Sequence, residues 1–375
     1  MKKTLLGIAI TLLATSLAAC GGGGRSTPGA SIPVVNPAAP NPGTSTTPMP
    51  SPSAAPATLK VTQYAAPSLI EALTLGPDGN VWYIPQSGTT ASLVNVTSGA
   101  ITTYNAEPAS EASCVNDFGL QENAITPGPG GTLWVSVFCG QPMQIGFWGF
   151  NVLTTSGTVT ANIVTQYDPL VIQGATMGSD GNVWSDTLDP SNAAAVVEFP
   201  ATASGPSQGC SIGLPAESAI VPGPDGALWL PSNNGSNAQL LRVTTLCAIN
   251  SIATIVGTSF DVNTIVSAGG SLWVLDRTHG AVVRFSTSGT STNYAIPNSF
   301  GGSGFLASSA ASNYVYFDDT KNGEIGRINI ATGMIQEFSL QSSGGIFHPN
   351  DMVIDAAGNV WTNCGSALLK LSIST

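Results

Sequence analysis

A seven-residue motif, Gly-Pro-Asp-Gly-Asn-Val-Trp at residues 76–82, recurs along the chain and limits the folds open to it. Clear copies end at Trp134, Trp184, Trp229 and Trp361, and degenerate copies end at Trp273 and Tyr316. The seven markers are separated by 52, 50, 45, 44, 43 and 45 residues. Because four-stranded propeller blades repeat with a period of about 40–50 residues, this spacing predicts seven blades.

Each period reads as four short strands. An apolar run such as residues 72–75 precedes the motif, and its Asp-Gly or Gly-Gly pair permits a tight hairpin into the strand that the Trp opens. In the first period, residues 92–96 and 101–104 supply the third and fourth strands. A single four-stranded sheet leaves its faces and edges open, so the units must stack to bury them. We therefore predict an all-β fold, a seven-bladed β-propeller of four-stranded antiparallel blades, with the Trp side chains in the core between blades.

The two ends of the repeat region complement each other. The last copy stops after its third strand, at residues 368–373, and an extra strand at residues 59–64 precedes the first copy. The extra strand resembles the fourth strands at residues 101–104 and 292–294 in composition. We expect this N-terminal strand to complete the C-terminal blade, so that residues 58–375 form one closed propeller.

Residues 1–19 have the pattern of a secretory signal peptide, with Lys2 and Lys3 before an apolar core at residues 5–13. Leu17-Ala18-Ala19-Cys20 resembles the lipobox of bacterial lipoproteins, which implies lipidation of Cys20; an ordinary signal peptide with a chance cysteine is the alternative. Gly21 after the cysteine implies the outer membrane in the sorting pattern of such proteins. Residues 20–57 then form the lipidated cysteine and a tether rich in Gly, Pro and Ser, which we expect to be disordered.

The charge balance excludes one class of partner. After loss of the first 19 residues, eight basic residues face 21 acidic ones, a net charge of −13. This disfavours nucleic acid as a partner. We expect a monomeric propeller, held to the membrane by its N-terminal lipid.

The five cysteines after Cys20 suggest disulfides in an oxidising compartment. Cys114 and Cys139 lie in connections that emerge on the same face of a propeller, so we expect them to pair. Cys210 with Cys247 is a second candidate pair, which leaves Cys364 without a partner.

The repeated motif, together with residues 324–328 and 333–338, resembles the blades of the virginiamycin B lyases, or streptogramin lyases, over residues 59–371. This resemblance implies a seven-bladed propeller and Mg-dependent opening of a cyclic depsipeptide by C–O elimination. It also implies histidines near the start of inner strands and an acid three residues after a blade Trp. Here the corresponding positions are Phe305, Asn350 and Cys364, which carry neither the base nor the acid.

Three other residues are the candidate catalytic groups if the chain is an enzyme. His348 lies two positions from Asn350 and is either a substitute base or an exposed loop side chain. Asp276 and Asp319 occupy the acid position in the fifth and sixth blades. We expect His279, in the loop after Asp276, to lie on the surface.

The position eleven residues before each blade marker predicts a ring of side chains at the channel mouth: Glu71, Asn123, Gln173, Ser218, Asn263 (next to Val262) and Asn350. Carboxylate and amide oxygens suit a hard cation, so Glu71, Asn123 and Asn350 form a candidate Mg²⁺ or Ca²⁺ site, with a polar ring that holds water as the alternative. Basic residues recur on the third strands of four blades, and we expect them to be solvated: Arg242, Arg284, Arg327 and Lys370.

Three functions fit these residues. The first is a non-catalytic or weakly catalytic outer-membrane lipoprotein whose propeller binds a protein, peptide or glycan in the periplasm or at the cell surface. The alternative is a metal-dependent C–O lyase of the streptogramin lyase type, or a lactonase, that acts at the channel mouth. The third is a structural member of an envelope assembly.

Overall fold

A computed structural model describes the chain from residue 57 to residue 374. The described part omits residues 87–89, 108–123, 142–143, 165–170, 189–193, 204–205, 207, 213–218, 234–236, 257–264, 298–300, 302–304, 311 and 341–350. No helix in the described ranges has the length and hydropathy to cross a membrane.

The described strands form seven antiparallel four-stranded sheets, as predicted. Blade 1 consists of β2 (Ile70–Leu75), β3 (Val81–Pro85), β4 (Thr90–Val94) and β5 (Ile101–Asn105). Blade 2 consists of β6 (Ile125–Gly128), β7 (Thr132–Gln141), β8 (Gln144–Thr154) and β9 (Val159–Val164), with a short 3₁₀ turn at Pro129–Gly131. Blade 3 consists of β10 (Val171–Met177), β11 (Val183–Leu188), β12 (Ala194–Phe199) and β13 (Gln208–Ser211).

Blades 4 to 6 repeat the same order. Blade 4 consists of β14 (Val221–Pro222), β15 (Leu228–Asn233), β16 (Asn237–Val243) and β17 (Ile249–Val256). Blade 5 consists of β18 (Ile265–Ala268), β19 (Ser271–Asp276), β20 (Ala281–Phe285) and β21 (Ser291–Ala295). Blade 6 consists of β22 (Leu306–Ala307), β23 (Tyr314–Asp319), β24 (Glu324–Asn329) and β25 (Ile335–Ser339).

Blade 7 closes the ring with strands from both ends of the chain. It consists of β26 (Met352–Ile354), β27 (Val360–Cys364), β28 (Ala367–Ser374) and β1 (Thr58–Ala65). β1 pairs with β28 over its whole length, from Thr58 opposite Ser374 to Ala65 opposite Ala367. The prediction that an N-terminal strand completes the C-terminal blade is therefore confirmed.

The repeated motif forms a hairpin that locks the blade Trp. In blade 1, the Asp78 carboxylate accepts hydrogen bonds from the Trp82 indole N–H (3.1 Å) and the Asn80 backbone N–H (3.2 Å). Gly76 lies against the indole, where an added Cβ would be 2.4 Å from the ring, and Gly79 has a φ of 76°. The Gly-Pro-Asp-Gly sequence thus satisfies the indole donor within the turn, and the ring is free to pack against the next blade.

The Trp residues form the core between blades, as expected. Trp82 is fully buried against Ile125, Leu133 and Val135 of blade 2. A Tyr from the fourth strand of the same blade stacks on the Trp in blades 1, 5 and 7, with ring centroids 5.5–5.8 Å apart: Tyr104 on Trp82, Tyr294 on Trp273 and Tyr64 on Trp361. The β1 residue Tyr64 therefore occupies the fourth-strand position that the sequence predicted for it.

Candidate functional site

The seven inner strands begin at one end of the propeller, which we call the mouth end; the hairpins that hold the Trp residues lie at the opposite, Trp-turn end. Of the side chains predicted to ring the mouth, Glu71 lies in the described part. Gln173 lies in β10, of which the structure describes the backbone at this position. The remaining candidates at the mouth or in the loops lie outside the described residues, as do the lipidation site and one predicted disulfide partner: Asn123, Ser218, Asn263, Asn350, His348, Cys20 and Cys114.

Glu71 and Gln173 occupy equivalent irregularities in their sheets. The pairing of β2 with β3 shifts between Ile70 and Ala72, and the pairing of β10 with β11 shifts between Ile172 and Gly174. An extra residue in an antiparallel pair re-aims its side chain, and such bulges are common next to binding sites. Glu71 is partly buried, and desolvation raises the pKa of its carboxyl. The position eleven residues before the blade marker, which we call the spacing rule, therefore coincides with a distortion of the inner strand in blades 1 and 3.

A second set of mouth-end side chains caps the inner strands, and the sequence analysis missed it. The residue two positions after the blade marker accepts a hydrogen bond from a backbone N–H at the start of the inner strand of its own blade. Ser136 accepts from Ala124 (2.8 Å), Asp318 from Phe305 (2.7 Å) and Asn363 from Asp351 (3.2 Å). The signal in the sequence is a polar residue at that spacing, where the other blades have Ile84, Pro231 and Leu275.

Asp186 occupies this position in blade 3, but within the described part of the chain its carboxylate oxygens have no hydrogen-bond partner. The residue is 0% exposed, and both carboxylate oxygens are buried. Burial raises the pKa of Asp186 to about 7. The backbone N–H groups of Gly174 and of Asp186 itself partly offset this increase in pKa, although neither forms a hydrogen bond of normal geometry.

At the junction of blades 7 and 1, two side chains of blade 7 cross to the inner strand of blade 1. Asp351 accepts a hydrogen bond from the Leu73 backbone N–H (2.9 Å), and the Asn363 amide donates to the Ile70 backbone carbonyl (2.9 Å). Burial raises the pKa of Asp351 to about 6, although its backbone hydrogen bonds oppose this. Glu71 lies between Ile70 and Leu73 in the sequence. These two hydrogen bonds therefore hold the inner strand of blade 1 on both sides of Glu71.

Each of the two candidate catalytic aspartates accepts hydrogen bonds from residues of the turn that follows it. Asp276 is buried and accepts hydrogen bonds from the backbone N–H (3.0 Å) and the ring (2.8 Å) of His279, whose own side chain is 58% exposed, as expected. Asp319 is fully buried and accepts from the Asn322 amide (2.7 Å) and the Gly301 backbone N–H (3.3 Å). Both therefore fix the turn between the second and third strands of their blades.

Asp319 also belongs to a group of three carboxylates in blade 6. Oxygen atoms of Asp319, Glu324 and Glu337 all lie within 4.8 Å of one another. Desolvation and the charge of Asp319 raise the pKa of Glu324. The sequence did not predict this group, because it depends on the register of three adjacent strands. It lies in blade 6, whereas Glu71, the described member of the predicted metal set, lies in blade 1.

Cys364, at the acid position of the last blade, is buried and disulfide-bonded. The expectation that it has no partner is therefore wrong. A second disulfide joins Cys210 of blade 3 to Cys247 of blade 4, with their Cα atoms 5.2 Å apart. The predicted pairing of Cys114 with Cys139 falls outside the side chains that the structure describes.

The third-strand basic residues are not simply solvated, which corrects the sequence analysis. Each lies opposite the blade marker in the pairing of second and third strands. Arg327 is buried, with its guanidinium 4.1 Å from the centre of the Tyr314 ring and 5.3 Å from that of Phe338. Arg284 and Lys370 lie over Trp273 and Trp361, so these side chains contribute to blade packing.

Comparison with known proteins supports the fold and its family. Residues 57–369 match the virginiamycin B lyase family. A streptogramin B lyase structure has 19% sequence identity and a TM-score of 0.64, with 84% of this chain and 98% of that chain covered. A catalytically inactive virginiamycin B lyase from Staphylococcus aureus with quinupristin has 18% identity and a TM-score of 0.64, covering 84% and 99%.

The fold is also similar to that of proteins of other kinds. Kuenenia stuttgartiensis hydrazine synthase has 12% identity and a TM-score of 0.58, covering 82% of this chain and 96% of that chain. No curated protein matches the chain in sequence. At these sequence identities the structural similarity supports the propeller fold and does not extend to function.

Proposed function

The chain belongs to the virginiamycin B lyase family, and we propose that it acts as a binding module of the cell envelope. In this proposal a lipid on Cys20 anchors it to the outer membrane, facing the periplasm or the cell surface, and the mouth end holds a protein, peptide or glycan. The resemblance of residues 17–20 to a lipobox supports the anchor.

The disulfide at Cys364 is the observation that most favours binding over catalysis. A general acid or base must gain or lose a proton, and a disulfide sulfur has none to exchange. Phe305, at the equivalent of another catalytic position, also cannot titrate. Asp276 and Asp319 accept hydrogen bonds within the turns that follow them. The described equivalents of the family's acid and base positions therefore have structural roles.

A photo-cross-linking amino acid tests where the ligand binds. Leu69 is 36% exposed and precedes the inner strand of blade 1, whereas Leu246 is 87% exposed in a turn at the opposite end. With the cross-linker at position 69 in living cells, we expect a discrete adduct with an envelope component. The matched protein with the cross-linker at position 246 should give none. Adducts from position 246 alone would contradict binding at the mouth.

A metal-dependent C–O lyase or lactonase is the second candidate, and Glu71 favours it. Its raised pKa and its place on a bulge at the mouth are typical of a functional carboxyl. Mg²⁺ or Ca²⁺ would polarise a substrate carbonyl when bound, and Glu71 is the described member of the predicted ligand set. In that role the Glu71 carboxylate would supply one oxygen ligand to the cation. Metal-dependent turnover that Glu71→Gln abolishes would support this alternative.

A further inference from the structure

A contact between neighbouring blades recurs at the Trp-turn end. The Tyr that stacks on the Trp of one blade also covers a Gly in the turn between the third and fourth strands of the next blade. An added Cβ at that Gly would lie 2.0–2.3 Å from the Tyr ring at three junctions: Tyr64 on Gly99, Tyr104 on Gly157 and Tyr294 on Gly333. The ring therefore needs a glycine opposite it, because a side chain there would collide with it.

Cys210 and Cys247 occupy the two positions of this contact at the junction of blades 3 and 4. Cys210 lies two residues along the fourth strand from the position in line with the blade Trp, as Tyr104 does in blade 1. Cys247 has a φ of 61° in the turn between the third and fourth strands of blade 4, where Gly157 of blade 2 has a φ of 80°. Both residues donate their backbone N–H to the carbonyl three residues earlier (2.9 Å). A disulfide thus stands where three other junctions have an aromatic ring on a glycine.

The two positions are coupled by size. Because Cys247 carries a Cβ in this turn, a Tyr ring could not fit opposite it, whereas Cys210 is small enough for a sulfur–sulfur bond to span the gap. Cys210 also takes the place of the Tyr that would stack on Trp184. The noncovalent contacts at this seam include Trp184 with Leu228 of blade 4, and a hydrogen bond from Ser179 to the Gly226 carbonyl (2.6 Å). The disulfide is therefore the covalent part of a junction that has no Tyr–Gly contact.

The turn that holds Cys247 is open to a reductant. Cys210 is 3% exposed, whereas Cys247 is partly buried and follows Leu246, which is 87% exposed in the same turn. A positive φ is uncommon for a residue with a side chain, and the turn can relax once its link to blade 3 is broken. Accessible or strained disulfides are the class that thiols reduce most readily.

We propose that the Cys210–Cys247 disulfide is a redox-sensitive link that closes the seam between blades 3 and 4 in an oxidising compartment and opens it when a dithiol reduces the bond. One thiolate of the dithiol attacks the Cys247 sulfur, and the Cys210 sulfur leaves and takes up a proton. The second thiol of the reductant then displaces the Cys247 sulfur, which also becomes a thiol, and the dithiol ends as a cyclic disulfide. This inference goes beyond the proposed function and applies whether the mouth end binds or cleaves its ligand.

Hydrogen exchange of the full chain, with and without dithiothreitol, tests the proposal. In the folded protein we expect dithiothreitol to make both cysteines available for alkylation. Amides of β12, β13 and the turn at residues 244–248 should then exchange at least about tenfold faster, while the junctions with a Tyr on a Gly keep their rates, because the seam opens as a local unit. The melting temperature should fall by about 5 °C or more, since the bond joins residues 37 apart in sequence.

Two variants separate this disulfide from the one at Cys364, which the reductant can also attack. Cys210→Tyr with Cys247→Gly builds the contact of the other junctions, so exchange at this seam should not respond to dithiothreitol. Cys210→Ala with Cys247→Ala removes the bond without new packing and should show the fast exchange at this seam even without reductant.

Three results would overturn the inference. These are resistance of Cys210 and Cys247 to reduction and alkylation in the folded protein, faster exchange spread equally over all blades, and an unchanged response to dithiothreitol in the Tyr and Gly variant. The double alanine variant decides the question by itself if the Tyr and Gly variant does not fold. Slow exchange at this seam in that variant, as in the oxidised wild type, would also overturn the inference.

Discussion

The two ends of the propeller hold their carboxyl groups in different ways. At the Trp-turn end, Asp355 is buried but accepts hydrogen bonds from the Trp361 indole (2.8 Å) and from Asn359 (2.9 and 3.0 Å). At the mouth end, Asp186 is equally buried, and its carboxylate oxygens have no hydrogen-bond partner among the residues that the structure describes. Hydrogen bonds therefore satisfy the Asp355 carboxyl, whereas burial favours the neutral acid at Asp186. The mouth end therefore holds both bonded carboxyls, such as Asp351, and one buried carboxyl, Asp186, that has no hydrogen-bond partner among the described residues.

Both ends of the propeller depend on a closed ring of blades. Removal of β1 should therefore have the largest effect on thermal stability. A chain that begins after residue 64 loses a full strand of blade 7 and the stacking of Tyr64 on Trp361. We expect its melting temperature to fall by about 10 °C or more, because each kcal/mol lost shifts it by a few degrees. A chain that begins at residue 58 is the control and should melt like the complete protein. Equal melting temperatures for the two truncations would contradict the closure.

Asp186→Asn should change how stability depends on pH. Because burial raises the folded pKa of Asp186 from 3.8 to about 7, the folded state binds its proton more tightly than the unfolded state. The stabilisation from this group is complete below pH 4 and is lost as pH rises towards 7. The loss amounts to at most about 4 kcal/mol. Relative to the wild type, Asp186→Asn should therefore become progressively more stable from pH 4 to 7, as measured by urea unfolding.

Asp351→Asn is the matched control for this pH profile, because Asp351 is partly buried and accepts hydrogen bonds from backbone N–H groups. Its pKa rises to about 6, so its pH dependence should end about one pH unit lower than that of Asp186. If both variants followed the wild-type profile, these carboxyls would not be the source of the pH dependence.

Asp355→Ala should destabilise the protein by about 3 kcal/mol, since it leaves the buried Trp361 indole N–H and the partly buried N–H groups of Asn359 without an acceptor. Asp78→Ala in the exposed turn of blade 1 removes the same kind of acceptor where water can replace it, and should cost about 1 kcal/mol. Urea unfolding at pH 7 measures both. If the two costs were equal, burial would not distinguish these turns.

The Trp-turn end was predictable from sequence because its contacts are local. Asp78 and Trp82 are four residues apart, and their hydrogen bond forms within one hairpin. Tyr64 could be assigned to a fourth strand from its resemblance to Tyr104. Arg327 was misread because its burial depends on the rings of Tyr314 and Phe338, which neighbouring strands bring together.

The mouth end was predictable only in part, because its contacts join residues far apart in the chain. The spacing rule predicted Glu71 at the mouth, and in the structure the pairing of β2 with β3 shifts at that residue. It could not find the bond of Asp351 to Leu73, which spans 278 residues, nor the disulfide at Cys364. Asp186 looked like any acidic residue in a strand, since its lack of a partner depends on how two blades meet.

Incubation of the full chain with a streptogramin B antibiotic and Mg²⁺, followed by mass spectrometry of the antibiotic, tests most directly whether the mouth end binds without cleaving. We predict that the cyclic depsipeptide stays intact over times in which a streptogramin lyase consumes it. General acid and base groups each contribute about 10² to 10⁴ in rate, so their loss at Phe305 and Cys364 is large enough to measure. Linear product that requires Mg²⁺, and that Glu71→Gln or His348→Ala abolishes without unfolding the protein, would contradict this account.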